Sequence, residues 1–255
     1  MAIAFVQDVN AVDASSGSTL TTAATAMTAG NLLVAVYAYL HNNVAGGTPT
    51  RTISDSAGNT WVQNVVTQDL GIAGVVDGMA FGYAYAANIG GSLSSNTVTF
   101  TLGDNRTDRA IVVLEYSGMA AASALDAVAN GTDPGGSLSP AATGPLSTAQ
   151  ADELVVLARG TVTNGNHADW NAFTFNSVTA TNRTGATNRI GVGDNILSAT
   201  VTGATGVAGN NNPGVPIAIL AAAFKAAGGG GFDAATFPYT SVQTPVRQRT
   251  KVVSY

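Results

Sequence analysis

Short apolar runs recur in the same order in the two halves of this chain, and that doubling constrains the fold more than any other feature. "TLTTAATAMTAGNLLVAVY" (19–37) resembles "PLSTAQADELVVLAR" (145–159) after a small deletion. Each has a Leu-hydroxyl-Thr strand, an Ala-rich turn, a polar pair and a buried apolar strand. The order continues with "NTWVQNVV" (59–66) beside "ADWNAFTF" (168–175), "NTVTFTL" (96–102) beside "LSATVTG" (197–203), and "RAIVVLEYSG" (109–118) beside "VPIAILAAAF" (215–224). The runs are β-rich and bounded by Gly, Asn and Asp, and no stretch sustains helical periodicity. The chain therefore reads as all-β. Strands are expected near 3–9, 18–23, 31–40, 50–54, 60–67, 79–87, 96–102, 110–116, 153–160, 171–179, 188–193, 197–202 and 215–224.

An open sheet must cover its apolar face, and the halves lack a distinct linker. The expected architecture is one jelly-roll-like, two-sheet sandwich over residues 1–225, built from pseudo-repeats at about 19–118 and 145–224. The near-continuous runs "NLLVAVYAYL", "AIVVLEYSG", "ELVVLARG" and "IAILAAAFK" suit central strands, and the alternating "TVTFTL" and "ATVTG" suit strands with one polar face. "DPGGSLSPAATGP" (133–145) reads as a loop or crossover. Trp61 and Trp170 are expected at similar depths, as core anchors of the two halves.

From Ala226 the pattern changes. Residues 226–231 include four glycines in a row and read as a hinge. Residues 232–255 carry Phe232, Phe237, Tyr239, Val253 and Tyr255 but are too few to form a core. With Arg247, Arg249 and Lys251 against one acid, Asp233, they are expected to form an extended docking arm, with "VRQRTKVVSY" alternating enough to pair as a strand.

Composition limits the chemistry. Charged residues are 10% of the chain, against roughly 25% in ordinary soluble chains, and Gly, Thr, Ser and Asn fill the polar positions. The net charge of -5 argues against nucleic acid as a partner, since phosphate binding rests on clustered Lys and Arg. No cysteine is present, which removes disulfides and thiolate chemistry. "MAIAFVQDVN" lacks a basic stretch and a long apolar run, and "LLVAVYAYL" is far short of a membrane span, so a cytosolic, unprocessed product with no membrane association is expected.

Candidate sites mostly read as structure. In "RTISDSAGNTW" (51–61), Asx and Ser side chains cap turns, Gly58 and Asn59 tolerate positive φ, and Trp61 starts the next segment; a calcium loop would need several alternating acids, and only Asp55 is acidic. No metal, cofactor or catalytic residue is assigned. Acid–base catalysis needs paired groups, and the chain has two His (His41, His167) and two Glu (Glu115, Glu153), with no G-x-S-x-G elbow. Glu115 is expected at a strand end, paired with an Arg or capping backbone donors. "GDNRTDR" and "VGDNIL" read as hairpin turns, with Arg106 and Arg109 beside Asp104 and Asp108 as a solvated charge cluster. A glycan contact at His167 and Trp170 in "NHADWNAF" is the strongest binding alternative, because sugar faces stack on aromatics flanked by polar groups.

"GNLLVAV", "ISDSAGNTW", "VLEYSG" and "ADELVVLA", spread over residues 30 to 158, together resemble a β-sandwich family of structural proteins from tailed bacteriophages and prophages, also met in some bacterial surface proteins. These motifs mark strands and turns, and the resemblance implies no catalytic residue. It implies a virion surface or decoration protein made in the bacterial cytoplasm, whose partners are other virion proteins such as the major capsid or tail protein. A homo-oligomer, possibly a trimer, and a cell-surface glycan are further expected partners.

Overall fold

The computed structural model describes residues 2–42, 49–70, 77–91, 93–133, 141–161, 173–184, 190–208 and 216–228. The fold is all-β, with every paired strand antiparallel and no helix among the described residues. In the first half the strands are β1 (Ala4–Asp13), β2 (Gly17–Thr21), β3 (Leu32–Asn42), β4 (Arg51–Asp55), β5 (Thr67–Leu70), β6 (Asp77–Ala86), β7 (Val98–Arg106) and β8 (Arg109–Ser117). The second half comprises β9 (Leu125–Asp133), β10 (Ala141–Ala142), β11 (Glu153–Thr161), β12 (Phe173–Phe175), β13 (Val178–Thr179), β14 (Thr181–Thr184), β15 (Ile190–Leu197), β16 (Gly206–Ala208) and β17 (Ile217–Lys225).

Each half is a sandwich in its own right. The first pairs a sheet ordered β1-β8-β3-β6-β5 with one ordered β2-β7-β4; the second pairs β9-β17-β11-β15-β14 with β10-β16-β12-β13. The two orders coincide except that the second small sheet carries one further strand, β13. This is the jelly-roll succession of two Greek keys, except that β5 pairs outside β6 instead of joining the smaller sheet, whereas in the second half β13 joins the smaller sheet and β14 pairs outside β15. The sandwich expected from the sequence is therefore present twice, and the halves do not share two sheets between them.

Why the halves stay together is visible in the burial. The central strands β3, β8, β11 and β17 are buried on both faces, as continuous apolar runs require. One face of each closes a private core: Leu33, Ala35, Ile53, Trp61, Phe100 and Val113 in the first half, and Val155, Leu157, Phe173, Phe175 and Ile219 in the second. The other faces meet, so that Leu32, Val34, Tyr83 and Leu114 pack with Leu154, Val156, Leu220 and Phe224 in a third, shared core. The layers therefore run small sheet, large sheet, large sheet, small sheet.

Contacts across the middle fix the orientation. The Tyr83 hydroxyl lies 3.1 Å from the Val156 carbonyl and 3.2 Å from that of Leu220, Tyr85 meets Phe224 edge-on at 5.4 Å, and the Phe81 ring covers Gly160, where a Cβ would come within 3.0 Å of it. The strands of the two large sheets thus run along one direction. At one margin Arg183 of β14 lies 4.1 Å over the Phe5 ring of β1, and at the other Asn130 of β9 bonds Gln68 of β5 at 3.0 Å. Since β14 answers to β5 and β9 to β1, the halves are related by an approximate two-fold axis along the strands.

Several expectations need correction. Residues 125–133, for which no strand is expected, form edge strand β9, and 141–142 of the expected crossover form β10. Segment 60–67 is mostly irregular, with a single bridge from Val62 to Tyr85. Residues 198–202 form no strand. The repeat itself extends from β1 and β9, not from residues 19 and 145. Thr22 and Val98 bond reciprocally through backbone and hydroxyl, and so do Thr148 and Val201, each bond 3.0 Å long. That matches "LTT" to "LST" as expected but slides "NTVTFTL" by two residues. Tyr116 and Phe224, opposite Leu32 and Leu154, show the same two-residue slide in the last strand. A shift of two keeps every side chain on its face, so runs of Ala, Val and Thr do not resolve it. β12 takes the place of β4, so "ADWNAFTF" does not answer to "NTWVQNVV".

Candidate functional site

The "DSAGNTW" turn is built from its own side chains. Asp55, ending β4, accepts the backbone and side-chain N–H groups of Asn59 at 3.0 and 2.9 Å and the indole N–H of Trp61 at 2.9 Å. Gly58 turns at φ +77°, and Asn59 in turn accepts the Gly90 N–H at 2.7 Å. Ser56 and Ala57 bond the amide of buried Asn96. The polar groups of the motif are thereby spent on the turn, and Trp61 is buried in the first core.

Glu115 is buried at the end of β8 next to the segment that leads into β3. Its carboxylate accepts Thr28 N–H at 2.7 Å, Asn31 Nδ2 at 2.6 Å and Gln7 Nε2 at 2.6 Å. Of the two expected pairings, the capping of a backbone donor is the one present, with two amides completing the shell.

The expected charge cluster after β7 is less solvated than its composition suggested. Arg106 and Arg109 are both buried; Arg106 forks onto Asp104 at 2.7–2.8 Å, and Arg109 ties Asp13 to Thr19 and Ser15 at the β1–β2 turn. The Ser15 hydroxyl and N–H, more than Arg109, hold the Asp13 carboxyl below its usual range. "GDNRTDR" forms no hairpin: its first four residues end β7, and Asp108 turns at φ +52° in the link to β8, which belongs to the other sheet.

Two polar clusters were not singled out from the sequence. Between the sandwiches, buried Asp194 of β15 accepts the Tyr116 hydroxyl at 2.6 Å and Arg183 at 2.6 and 3.0 Å. Burial, then the neighbouring Asp194, pushes the Tyr116 hydroxyl well up. At the start of β11, Glu153 sits fully buried beside Asp126 and Lys225. "VGDNIL", expected to be a hairpin turn, runs through strand β15. The sequence carried one signal: a lone acid inside an apolar strand needs a partner.

Among the described residues, no group of three His, Cys, Asp or Glu side chains is placed to hold a metal. His41 is in β3, while His167 and Trp170, the expected glycan contacts, lie outside the described residues. So does the whole arm: Phe232, Phe237, Tyr239, Arg247, Arg249, Lys251, Val253 and Tyr255. Of the expected hinge, Ala226 and Ala227 are fixed, donating to Asp152 O at 3.2 Å and Gly118 O at 2.8 Å.

The connections nevertheless sort by end. The links from β3 to β4, β5 to β6, β9 to β10, β11 to β12, β14 to β15 and β16 to β17 all leave from one end of the stacked sandwiches, as the registers of the antiparallel pairs require. The β11–β12 link is the one carrying His167 and Trp170. Ala226 and Ala227, bonded to Asp152 and Gly118, stand at the other end, so the root of the arm and the strand ends from which these links depart are separated by the length of the strands. No family model, curated protein or solved structure matches the chain.

Proposed function

We propose that the chain is a non-enzymatic structural protein of a tailed-phage or prophage particle, decorating its surface as a head or tail component and attached through residues 232–255. The observation that carries this reading is the separation of ends: Ala226 and Ala227, at the root of the arm, are fixed at one pole, and the ends of β3, β5, β9, β11, β14 and β16 lie at the other. A protein attached at the first pole would present the second outward. The arm carries +2 of formal charge (three cations against Asp233), leaving -7 on the remainder of a chain totalling -5. An arm of opposite sign to its own body is suited to an acidic neighbour, where a strand can be added to an open sheet edge. Three or more such attachments around a symmetry axis would add avidity, which favours a homo-oligomer.

The test is truncation after Gly231, followed by co-sedimentation with purified particles that lack the native protein. Loss of binding by a folded truncation is the expected result. Undiminished binding would place the attachment surface on the sandwiches and overturn the reading.

A glycan- or receptor-binding role in host adhesion is the second reading. It is favoured by the end of β11, the strand that precedes His167 and Trp170 in the sequence, which lies at the pole opposite Ala226 and Ala227. Glycan-array binding that disappears in Trp170→Ala with the fold intact would support it.

A further inference from the structure

The two halves build the same corner, where the chain swings into the third strand of each sandwich, but they fill it with different chemistry. In the first half a single carboxylate, Glu115, meets neutral donors from Gln7, Thr28 and Asn31, and both its oxygens are satisfied. The position of Asn31 is taken in the second half by Glu153, since Leu32 and Leu154 are equivalent. Gly30 and Asp152 before them both have positive φ, at 86° and 56°.

The second corner has too much negative charge for its donors. Asp126 of β9 accepts Ala149 N–H at 2.6 Å and lies 3.5 Å from the Lys225 ammonium. Glu153 accepts only a long 3.3 Å bond from Gln150 N–H, and its Oε2 is buried without a partner. Asp126 and Lys225 are the charged groups facing it, from β9 and β17; β15, on its other side, supplies Leu197. Two carboxylates against one ammonium leave one charge uncompensated beside Glu153, which is itself fully buried. A proton on Glu153 removes it and lets the acid donate to Asp126.

That corner is also where the arm begins. Lys225 is the last residue of β17 and faces Glu153 in the register, Ala226 N–H is held by the carbonyl of Asp152, and Ala227 N–H by Gly118. We propose that Glu153, Asp126 and Lys225 form a proton-operated latch on the root of the C-terminal arm: closed when Glu153 is protonated, loosened when it ionises. Burial first, and then the negative charge of Asp126, raise the Glu153 carboxyl to about 7, which puts the change near neutrality. The biological use of the latch, to hold the arm in mildly acidic surroundings and release it in neutral ones, rests on the reading that the arm makes the attachment.

The test uses the isolated full-length chain, so its outcome is independent of particle binding. Hydrogen exchange of Ala226 and Ala227, corrected for the intrinsic pH dependence of exchange, is compared between pH 5.5 and pH 8, with Ala110 and Val112 in the shared core as the internal reference. Protection at the arm root is expected to fall by about tenfold, the ratio of ionised to protonated acid one pH unit above its midpoint. Glu153→Gln, which keeps the shape and cannot ionise, should keep the root protected at both pH values. Carbon-13 observation of the Glu153 carboxyl in the unaltered chain supplies a reading that needs no variant. Unchanged protection across the range, an equal loss in Glu153→Gln, or a carboxyl that titrates in the ordinary glutamate range would each overturn the proposal.

Discussion

Replacing Phe175 by Ala should lower the stability of a tryptophan that lies in the other sandwich. Phe175 is fully buried in the private core of the second half, among second-half residues only. Truncating a buried Phe to Ala costs about 3–5 kcal/mol, from lost transfer energy and the cavity left behind. Trp61 is in the private core of the first half, hydrogen-bonded to Asp55. Between them lies only the shared middle core. If that core makes the halves one cooperative unit, the cost at Phe175 appears undiminished at Trp61. The assay is thermal unfolding followed by Trp61 fluorescence in a Trp170→Phe background, with far-ultraviolet circular dichroism in parallel. At about 2–4 °C per kcal/mol for a chain of this size, both midpoints should drop together by roughly 6–20 °C. Two separate transitions, with Trp61 unmoved while about half of the β signal is lost early, would refute the coupling and make the middle layer a docking surface between independent domains.

Asp55→Ala should destabilise the fold by about 1–3 kcal/mol in urea unfolding, because the Trp61 indole and the Asn59 N–H groups lose their acceptor together. Asp194→Ala leaves Arg183 and Tyr116 facing each other without the carboxylate between the sandwiches, and should cost about 3–5 kcal/mol by the same measurement. Gly131→Ala would put a Cβ 1.8 Å from the Ala142 carbonyl oxygen, so this variant should lose more than the roughly 1–3 kcal/mol of ordinary overpacking, whereas Gly90→Ala, with nothing within 4 Å, should be nearly silent. For Glu153 the sign follows from a folded-state carboxyl at about 7 against 4.5 for the free group: the stability it lends is complete below pH 4.5 and is lost as pH rises through 7. Denaturant midpoints should fall over that window by the equivalent of about 1–3 kcal/mol, and Glu153→Gln should flatten the profile.

The sequence announced the strand content and the duplication, because period-two and continuous apolar runs are written locally. "NLLVAVYAYL" and "ELVVLARG" are apolar at every position, and that is the mark of strands covered on both sides. The second covering layer was assigned to a shared sandwich, although such runs fit equally well where two complete sandwiches meet. Strand β9 escaped notice because "LDAVANGTD" alternates weakly: it is an edge strand, and Val128 is among its exposed side chains. The turn at Asp55 was legible as a turn, since Asp55 serves Asn59 and Trp61 within a few positions, while the bonds of Ser56 and Ala57 to Asn96 and of Asn59 to Gly90 needed the fold. Asp194 with Tyr116 and Arg183 was not, because its partners come from other strands and, for Tyr116, from the other half. The Glu153 corner needed the fold to bring Asp126 and Lys225 together from strands far apart in sequence.

The shared middle core has a consequence for how the chain could be divided. Cut within the connection 118–124, each half would keep its own closed sandwich yet expose the outer face of a large sheet lined with Leu, Val and Tyr, a patch that single soluble domains avoid. Neither fragment would stay dispersed alone at high concentration, but the two should find each other, with an affinity set by the apolar area each hides in the other. In the intact chain the short connection holds them at an effective concentration of order millimolar or above, which removes dilution as a route to disassembly. A protein of this design can be present in a handful of copies and still be whole, where a dimer of single sandwiches would fall apart.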